Sequence, residues 1–446
     1  MIIYENENCI RLINFQYNIP EKWDVHKIKH LLETPVTDGP HETPEFIEKG
    51  IPFLSVDSIQ DGKLVFENCR YISEKDHIKF KNKCKPQKND VFMGKAASIG
   101  KIAIVNVDFE FSIWSPLALL RPNLKRILPK FFEYSLKSDY AQDQIDLYAT
   151  SNTQKNISMD DIPRIQLITP PIEQQTLIIN YLNKKTSEID LTIEKDSCLI
   201  ELLKEKRTAL INHVVTKGLD PTVKMKDSGV EWIGEIPENW EVNKTKEITD
   251  VKISNVDKKS KKNEPEVLLC NYTDVYNNEF ITSKLDFMKA TASVDQVKKL
   301  SLQKGDVIIT KDSETQDDIA VPALVDEDLE NVVCGYHLAL IRPHNYEIIG
   351  DFLFRLLQSR KINDQFVVAA NGVTRFGIST YPIKNSYLTL PPLNQQELIC
   401  KYLNQQSSQI DLTIEKIGNN IELLEEYKKS LIHHVVTGKV NVLKED

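Results

Sequence analysis

PPIEQQTLIINYLNKKTSEIDLTIEK, residues 170–195, returns as PPLNQQELICKYLNQQSSQIDLTIEK, residues 391–416. The register holds without a gap through INHVVT (211–216) and IHHVVT (432–437). The offset is 221 residues throughout, and 28 of the 47 aligned positions are identical, far beyond what composition gives by chance. A repeat this long is no solenoid unit. It is half a protein, so the chain is expected to carry a pseudo-two-fold symmetry that its partner or substrate must suit.

Working outward, each half opens on a similar lead-in, IPEKWDV from Ile19 and IPENWEV from Ile236. Short apolar patches separated by turn residues follow: IPFLSV, KIAIVNV and SPLALLRP in the first half, EVLLCNY, GDVIIT and YHLALIRP in the second. These read as strands, and FFEYSLKSDYAQDQI and DFLFRLLQSRKINDQF read as helices. The repeat persists faintly here. NDVFMGK (89–95) answers GDVIITK (305–311), LALLRP answers LALIRP, and TSNTQKNIS (150–158) answers NGVTRFGIS (371–379). Ends nearly copied around divergent centres suggest one scaffold presenting two different readers.

The long helices carry a heptad. Ile189, Ile193, Asp196, Ile200, Leu203, Arg207, Leu210 and Val214 are spaced 4-3-4-3-4-3-4, and Ile410, Ile414, Ile417, Ile421, Leu424, Lys428, Leu431 and Val435 repeat that spacing. Such a strip predicts a coiled-coil seam, the alternative being one amphipathic face packed on its own domain. A two-fold would make the helices antiparallel with one domain at each end. About 27 helical residues span roughly 40 Å, close to one turn of B-DNA, so the pair reads as a ruler.

Composition sets bounds. The 446 residues suffice for two cores, and 41% hydrophobic with 27% charged residues describes a globular chain. No apolar run approaches the ~20 residues of a membrane helix, and MIIYENENCIRL lacks a signal-peptide layout, so a cytoplasmic location is expected. Seven scattered cysteines without CxxC spacing argue against a disulfide framework or zinc. The net charge of −9 speaks against nucleic acid, but KFKNKCKPQK (79–88) and KKSKK (258–262) are locally basic, and local field decides binding. They read equally as solvated loops.

Catalytic patterns are missing. GKAASIGK (94–101) has five residues between its glycines and Ile102 after the lysine, which rules out a phosphate loop. The proline pairs read TPPI and LPPL rather than an adenine-methyltransferase signature, and no GxGxxG, HExxH or GxSxG occurs. His213, His433 and His434 fall at helix ends, where a cation is ordinary. Asp312, Glu314, Asp317 and Asp318 read as a polar loop with the alternative of a divalent-ion site.

Along nearly its whole length the sequence resembles the specificity subunits of type I restriction-modification systems. The resemblance rests on DSGVEWIGEIPENWEV (227–242), PPIEQQ and PPLNQQ, INHVVT and IHHVVT, KGDVIITKD (304–312), ANGVTRFGIS (370–379), TDGPHETP (37–44) and SNTQKNIS (151–158). One departure is NFQYNIP where the second half has WIGEIP. The resemblance implies an α+β protein with two similar α/β target-recognition domains in tandem, each followed by a long helix, the helices pairing as an antiparallel coiled coil. The segments expected are an N-terminal lead-in 1–18, recognition domain 19–169, spacer helix 170–217, linker 218–235, recognition domain 236–390, spacer helix 391–437 and tail 438–446. It implies a non-catalytic subunit reading a split, asymmetric site in double-stranded DNA. Two methyltransferase subunits and restriction subunits would be its partners, and S-adenosylmethionine, ATP and magnesium would belong to them. A methyltransferase or nuclease, and a coiled-coil scaffold without DNA, are the rival classes.

Candidate DNA contacts follow from side-chain chemistry. Arg suits guanine, and Gln or Asn suits adenine. The aligned pair Gln154 and Arg375, after Thr153 and Thr374 and beside Asn156 and Asn371, lies on a polar loop in each half, with phosphate grip as the alternative role. Lys95 and Lys311, at one point of the repeat, suit phosphate. Lys101, Asp38, His41 and Thr43 are weaker candidates.

Overall fold

The computed structural model describes residues 19–151 and 155–442, so the lead-in 1–18, Thr153 and Gln154 lie outside the described residues. The chain forms two compact units. The first comprises residues up to 197 together with those from 419 on, and the second comprises residues 198–418. Each long helix is therefore divided between the units.

In the first unit the apolar patches form two sheets. A four-stranded sheet runs in the order Thr37–Asp38, Leu117–Leu120, Val91–Gly94, Ile102–Ile104, all antiparallel. A three-stranded sheet places Ile51–Leu54 between Arg70–Ile72 and Ser112–Ile113. Leu117 to Leu120 are all buried, because this strand is covered on both faces and so shows a continuous apolar run rather than alternation. One core lies between the sheets around Leu54, Phe92 and Ile113. Another lies under the helices Pro129–Lys137 and Asp139–Tyr148, around Phe131, Phe132 and Ile145.

The second unit repeats this plan with a larger sheet. Thr249–Ile253, Leu338–Pro343, Val307–Thr310, Pro322–Val325 and Phe280–Ile281 form five strands in that order. A three-stranded sheet holds Glu266–Cys270 between Met288–Thr291 and Val332–Cys334. The helices Gly350–Gln358 and Arg360–Ala369 close its main core around Phe352, Leu356 and Phe366. Cys69, Cys84, Cys198, Cys270, Cys334 and Cys400 are free thiols.

The lead-ins and proline pairs turn out to be one device. Asp24–Lys27 pairs with Gln166–Thr169, and Glu241–Lys244 with Tyr387–Leu390, so each unit's first strand closes on its last before the helix begins. Trp23 then donates its indole N–H to Gln174 Oε1 and Trp240 donates to Gln395 Oε1, both at 2.8 Å. The next glutamine is fully buried in both units. Gln175 donates to the carbonyls of Pro170 and Arg126 and accepts from Leu128 N–H, and Gln396 makes the equivalent set with Pro391, Glu347 and Ile349. The amide satisfies backbone groups stranded where strand turns to helix.

The helices are longer than the seam alone predicts. Ile172–Lys217 has 46 residues and Leu393–Val436 has 44, about 69 and 66 Å at 1.5 Å per residue. The extra turns precede the heptad strip, where Ile178 and Leu182, or Ile399 and Leu403, pack on their own domain's core. For these turns the single amphipathic face is the correct description.

Beyond them, within each unit, segments of the two helices run antiparallel. In the first unit Lys428 pairs with Asp190 and Asn420 donates to Asp196, one index rising as the other falls. In the second, Arg207 pairs with Asp411 at 3.2 Å. The seam cations thus each find an aspartate one position past Ile189 or Ile410. Ile189, Val214, Ile410, Leu431 and Val435 are buried, while Ile193, Ile200, Leu203, Leu210, Ile414, Ile421 and Leu424 are half-buried. Half-burial is what a two-stranded seam gives, since only the strip facing its partner leaves water.

Candidate nucleic-acid interface

In the first unit the TDGPHETP motif meets the strand that ends at Gly94. Asp38 is 5% exposed and accepts from Lys95 at 2.7 Å and Lys83 at 2.6 Å, with His41 Nε2 at 3.1 Å. Burial on its own raises the Asp38 pKa, but the hydrogen bonds and charges of Lys83 and Lys95 outweigh it and hold the carboxyl below its ordinary value. Lys95 is itself 8% exposed. Its backbone carbonyl accepts from Ile157 N–H at 3.0 Å, and Ala96 bridges Asn156, so the junction anchors the strand Lys155–Asn156.

The sequence candidates therefore divide. Asp38, His41, Lys95 and Asn156 come together. Thr43 is exposed further along the same loop, and Lys101, also exposed, donates to the carbonyl of Ile59 at 3.2 Å. GKAASIGK is a hairpin between strands Val91–Gly94 and Ile102–Ile104, with Ala97 at φ +64°. A phosphate loop needs a helix to follow, and here a strand does.

The second unit rebuilds the junction with other side chains. Lys311 N–H donates to His337 O at 2.8 Å and Lys311 O accepts from Ile378 N–H at 2.9 Å, matching Lys95 with Pro116 and Ile157. Asp312–Ser313 pairs with Phe376–Gly377, and Asn371 exchanges two backbone hydrogen bonds with Gly377. The turn between them projects Thr374 and Arg375, both exposed, while Asn371 also donates its side-chain amide to Ala369 O. His337, at φ +70°, pairs with Asp312 beside half-exposed Tyr336.

Side chains not singled out from sequence complete this surface. Tyr272 and Tyr276 stack at 5.6 Å, and Tyr276 donates to Asp318 at 2.5 Å. Burial raises the Tyr272 pKa, and the nearby Arg375 charge opposes that rise. The i, i+4 spacing in NYTDVYNN was the available signal. In the first unit, Arg70 lies over Phe46 and Trp114 at 5.2 and 5.4 Å. Asp312 and Asp318 take His337 and Tyr276 respectively, so the acidic loop's carboxylates face separate partners.

The basic run 79–88 is largely neutralised where it stands. Lys81 and Lys85 share Glu110, Lys83 takes Asp38, Lys88 takes Asp108 and Lys79 takes Glu42. Hydrogen bonds from Lys81, Lys85 and then His77 pull the Glu110 carboxyl down to about 2. The lysine run is a paired surface rather than an open positive patch. Among the described residues no helix is long and apolar enough to cross a membrane.

Comparison with known proteins converges on one family. The family model for the type I restriction modification DNA specificity domain matches residues 20–199 and again 237–423. The putative type I restriction enzyme MjaX specificity subunit of Methanocaldococcus jannaschii is 26% identical over 444 residues, covering 95% of both chains. The EcoKI specificity subunit of Escherichia coli K12 is 23% identical over 381 residues, covering 83% of this chain and 78% of that one. The fold is that of a chain solved in work on complex assembly and conformational transition of the type I R-M system, with TM-score 0.70, 14% identity and coverage of 95% and 100%. It is also that of the HsdS subunit from Thermoanaerobacter tengcongensis, with TM-score 0.53, 14% identity and coverage of 95% and 99%. With the specificity domain present twice, at the two places where the repeat falls, the chain belongs to the type I restriction-modification specificity family.

Proposed function

We propose that each unit of this non-catalytic specificity subunit reads one half of a split target in double-stranded DNA, and that the two halves differ in base sequence. The observation that carries this reading is one backbone junction built twice with different side chains around it: Lys95 with Asp38 and Asn156 in one unit, Lys311 with His337 and a Thr374–Arg375 turn in the other. Equal scaffolds with unequal loops suit an asymmetric site. Contacts are assigned to Lys101, His41, Thr43, Thr153, Gln154 and Asn156 in the first unit and to Lys311, Asn371, Thr374 and Arg375 in the second. The long helices set the spacer.

Methylome sequencing of a host carrying this subunit with its methyltransferase partner tests the reading. A bipartite, non-palindromic methylated motif is expected, and a contiguous or palindromic one overturns it. Arg375→Ala should relax preference at one base of one half-site. Each good bidentate base contact is worth about 1–3 kcal/mol of discrimination. Uniform weakening across sequences would instead assign Arg375 to phosphate.

The helices supply the docking sites. Leu177, Leu191 and Leu423 in the first unit, and Leu398, Leu412 and Leu202 in the second, are all at least half exposed. The two sets are equivalent under the 221-residue offset, so two copies of one partner can dock alike. The occupant we assign is an apolar helical face of a methyltransferase subunit, with restriction subunits joining the cytoplasmic complex. S-adenosylmethionine, ATP and magnesium are assigned to these partners. Leu191→Glu with Leu423→Glu should leave one methyltransferase subunit bound instead of two by native mass spectrometry. Retention of both sinks this assignment.

A further inference from the structure

Lys95 and Lys311 have the same backbone setting, each locked between the carbonyl of the residue just before the neighbouring strand and the N–H of an isoleucine, Ile157 or Ile378. Their ammonium groups have different surroundings. Ala118 of LALLRP pairs with Asp38, and Ala339 of LALIRP pairs with Ile253, so the second unit has isoleucine where the first has its buried carboxylate. Lys95 is spent on Asp38 at 2.7 Å. Lys311 is half-buried, and among the described residues its ammonium has no hydrogen-bond or ion-pair partner.

We propose that the two lysines have separate functions: Lys311 grips a DNA backbone phosphate at the second half-site, whereas Lys95 is a positioning residue that makes no phosphate contact at the first. The inference rests on the reading that these loops face DNA. A half-buried cation without a counter-ion has already lost part of its hydration, and a phosphate oxygen replaces it with a charge-assisted hydrogen bond. The Lys95 charge is already matched by Asp38, and a phosphate reaching its ammonium would come up beside that buried carboxylate, an approach that like charges disfavour.

The test is the salt dependence of binding by the full complex of this subunit with its methyltransferase partner, on a duplex carrying the motif found by methylome sequencing. Each phosphate neutralised contributes about 0.9 to the slope of log K against log salt. Lys311→Met should lower the slope by about one phosphate and weaken target and random duplexes alike. Ile253→Asp should reproduce that loss by giving Lys311 a partner, and the double variant should add nothing further. Lys95→Met should leave the slope unchanged. If that variant does not assemble, Asp38→Asn with Lys95→Gln keeps a neutral hydrogen bond at the position and should also leave the slope unchanged. A wild-type slope for Lys311→Met, or an equal loss from both lysine positions, overturns the inference. A complex with no preference for its motif over random duplex defeats the underlying DNA reading instead, so the two failures are distinguishable.

Discussion

Trp240 donates its indole N–H to Oε1 of Gln395, 2.8 Å away across 155 residues of sequence. Trp240 is 1% exposed, so its N–H has no access to water, and removing the acceptor strands a buried donor. Gln395→Leu should lower the stability of the second unit by about 1–3 kcal/mol. The same change at Gln174 should cost the first unit no more, because Trp23 is 9% exposed. Urea unfolding followed by tryptophan fluorescence reads both. Equal stability of the Gln395→Leu variant and the native chain would contradict the assigned role.

The seam cations make a sharper prediction, because they sit at one position of the repeat with different partners. Arg207 pairs with Asp411 and with both oxygens of Glu279, at 2.6 and 2.7 Å, so it ties the helix segment to the recognition domain of its own unit. Lys428 makes a pair with Asp190. A lysine cannot span both carboxylates with a planar fork, so Arg207→Lys should cost about 1.5–3 kcal/mol, while Lys428→Arg should stay within about 0.5 kcal/mol. Chemical unfolding of the two variants side by side checks the contrast.

Acid should loosen the first unit before the second. The Asp38 carboxyl is held below its ordinary value by Lys83 and Lys95. Its stabilising contribution is therefore complete above the unfolded value near 3.9 and is lost as pH falls through the folded value. The second unit has Ile253 at that position and no such term. Asp38→Ala strands Lys95 in the interior and should cost about 3–5 kcal/mol at neutral pH. It should also flatten the first unit's dependence on pH below about 4. Thermal melts across pH 2.5–6 on native and variant chains test the sign.

Most of this fold was legible because its evidence is local or duplicated. The 4-3 spacing from Ile189 to Val214 is read from one stretch of chain, and its recurrence from Ile410 to Val435 supplies a partner for the strip. Antiparallel pairing then follows from symmetry, and the Lys428–Asp190 and Arg207–Asp411 contacts have that sense within each unit. The site was less legible, because its chemistry is set by residues far away in sequence. Lys95 and Lys311 end matching strands, and nothing near them differs in a telling way. What separates them is Asp38 against Ile253, each 57 or 58 positions upstream and brought alongside by strand pairing. Trp23 and Gln174 were both in view, yet only closure of the domain makes them partners. The helix starts were legible from the proline pairs at 170–171 and 391–392, whereas the heptad spacing marks only the seam, because the turns before Ile189 and Ile410 serve their own domain.

The turn that carries Arg375 permits a test of loop shape apart from side-chain chemistry. Gly372 follows Asn371, and a Cβ at that position would fall on the backbone carbonyl of Arg375, which cannot yield as a flexible side chain could. Asn371 and Gly377 close the turn with hydrogen bonds of 3.0 and 2.9 Å, so the displacement has to be taken up by Val373, Thr374 and Arg375. Val373 is 93% exposed, so opening the turn uncovers little apolar surface and should change global stability by less than about 1 kcal/mol. Binding should suffer more. A contact worth about 1–3 kcal/mol depends on hydrogen-bond geometry that a shifted turn cannot keep, so Gly372→Ala should weaken the intact target roughly 5- to 150-fold. Competition with duplexes altered in one half-site at a time locates the damage. Sequence changes in the second half-site should matter less to the Gly372→Ala complex than to the native one, while changes in the first should matter equally. Equal damage at both half-sites would mean that the turn supports the protein as a whole and does not read DNA.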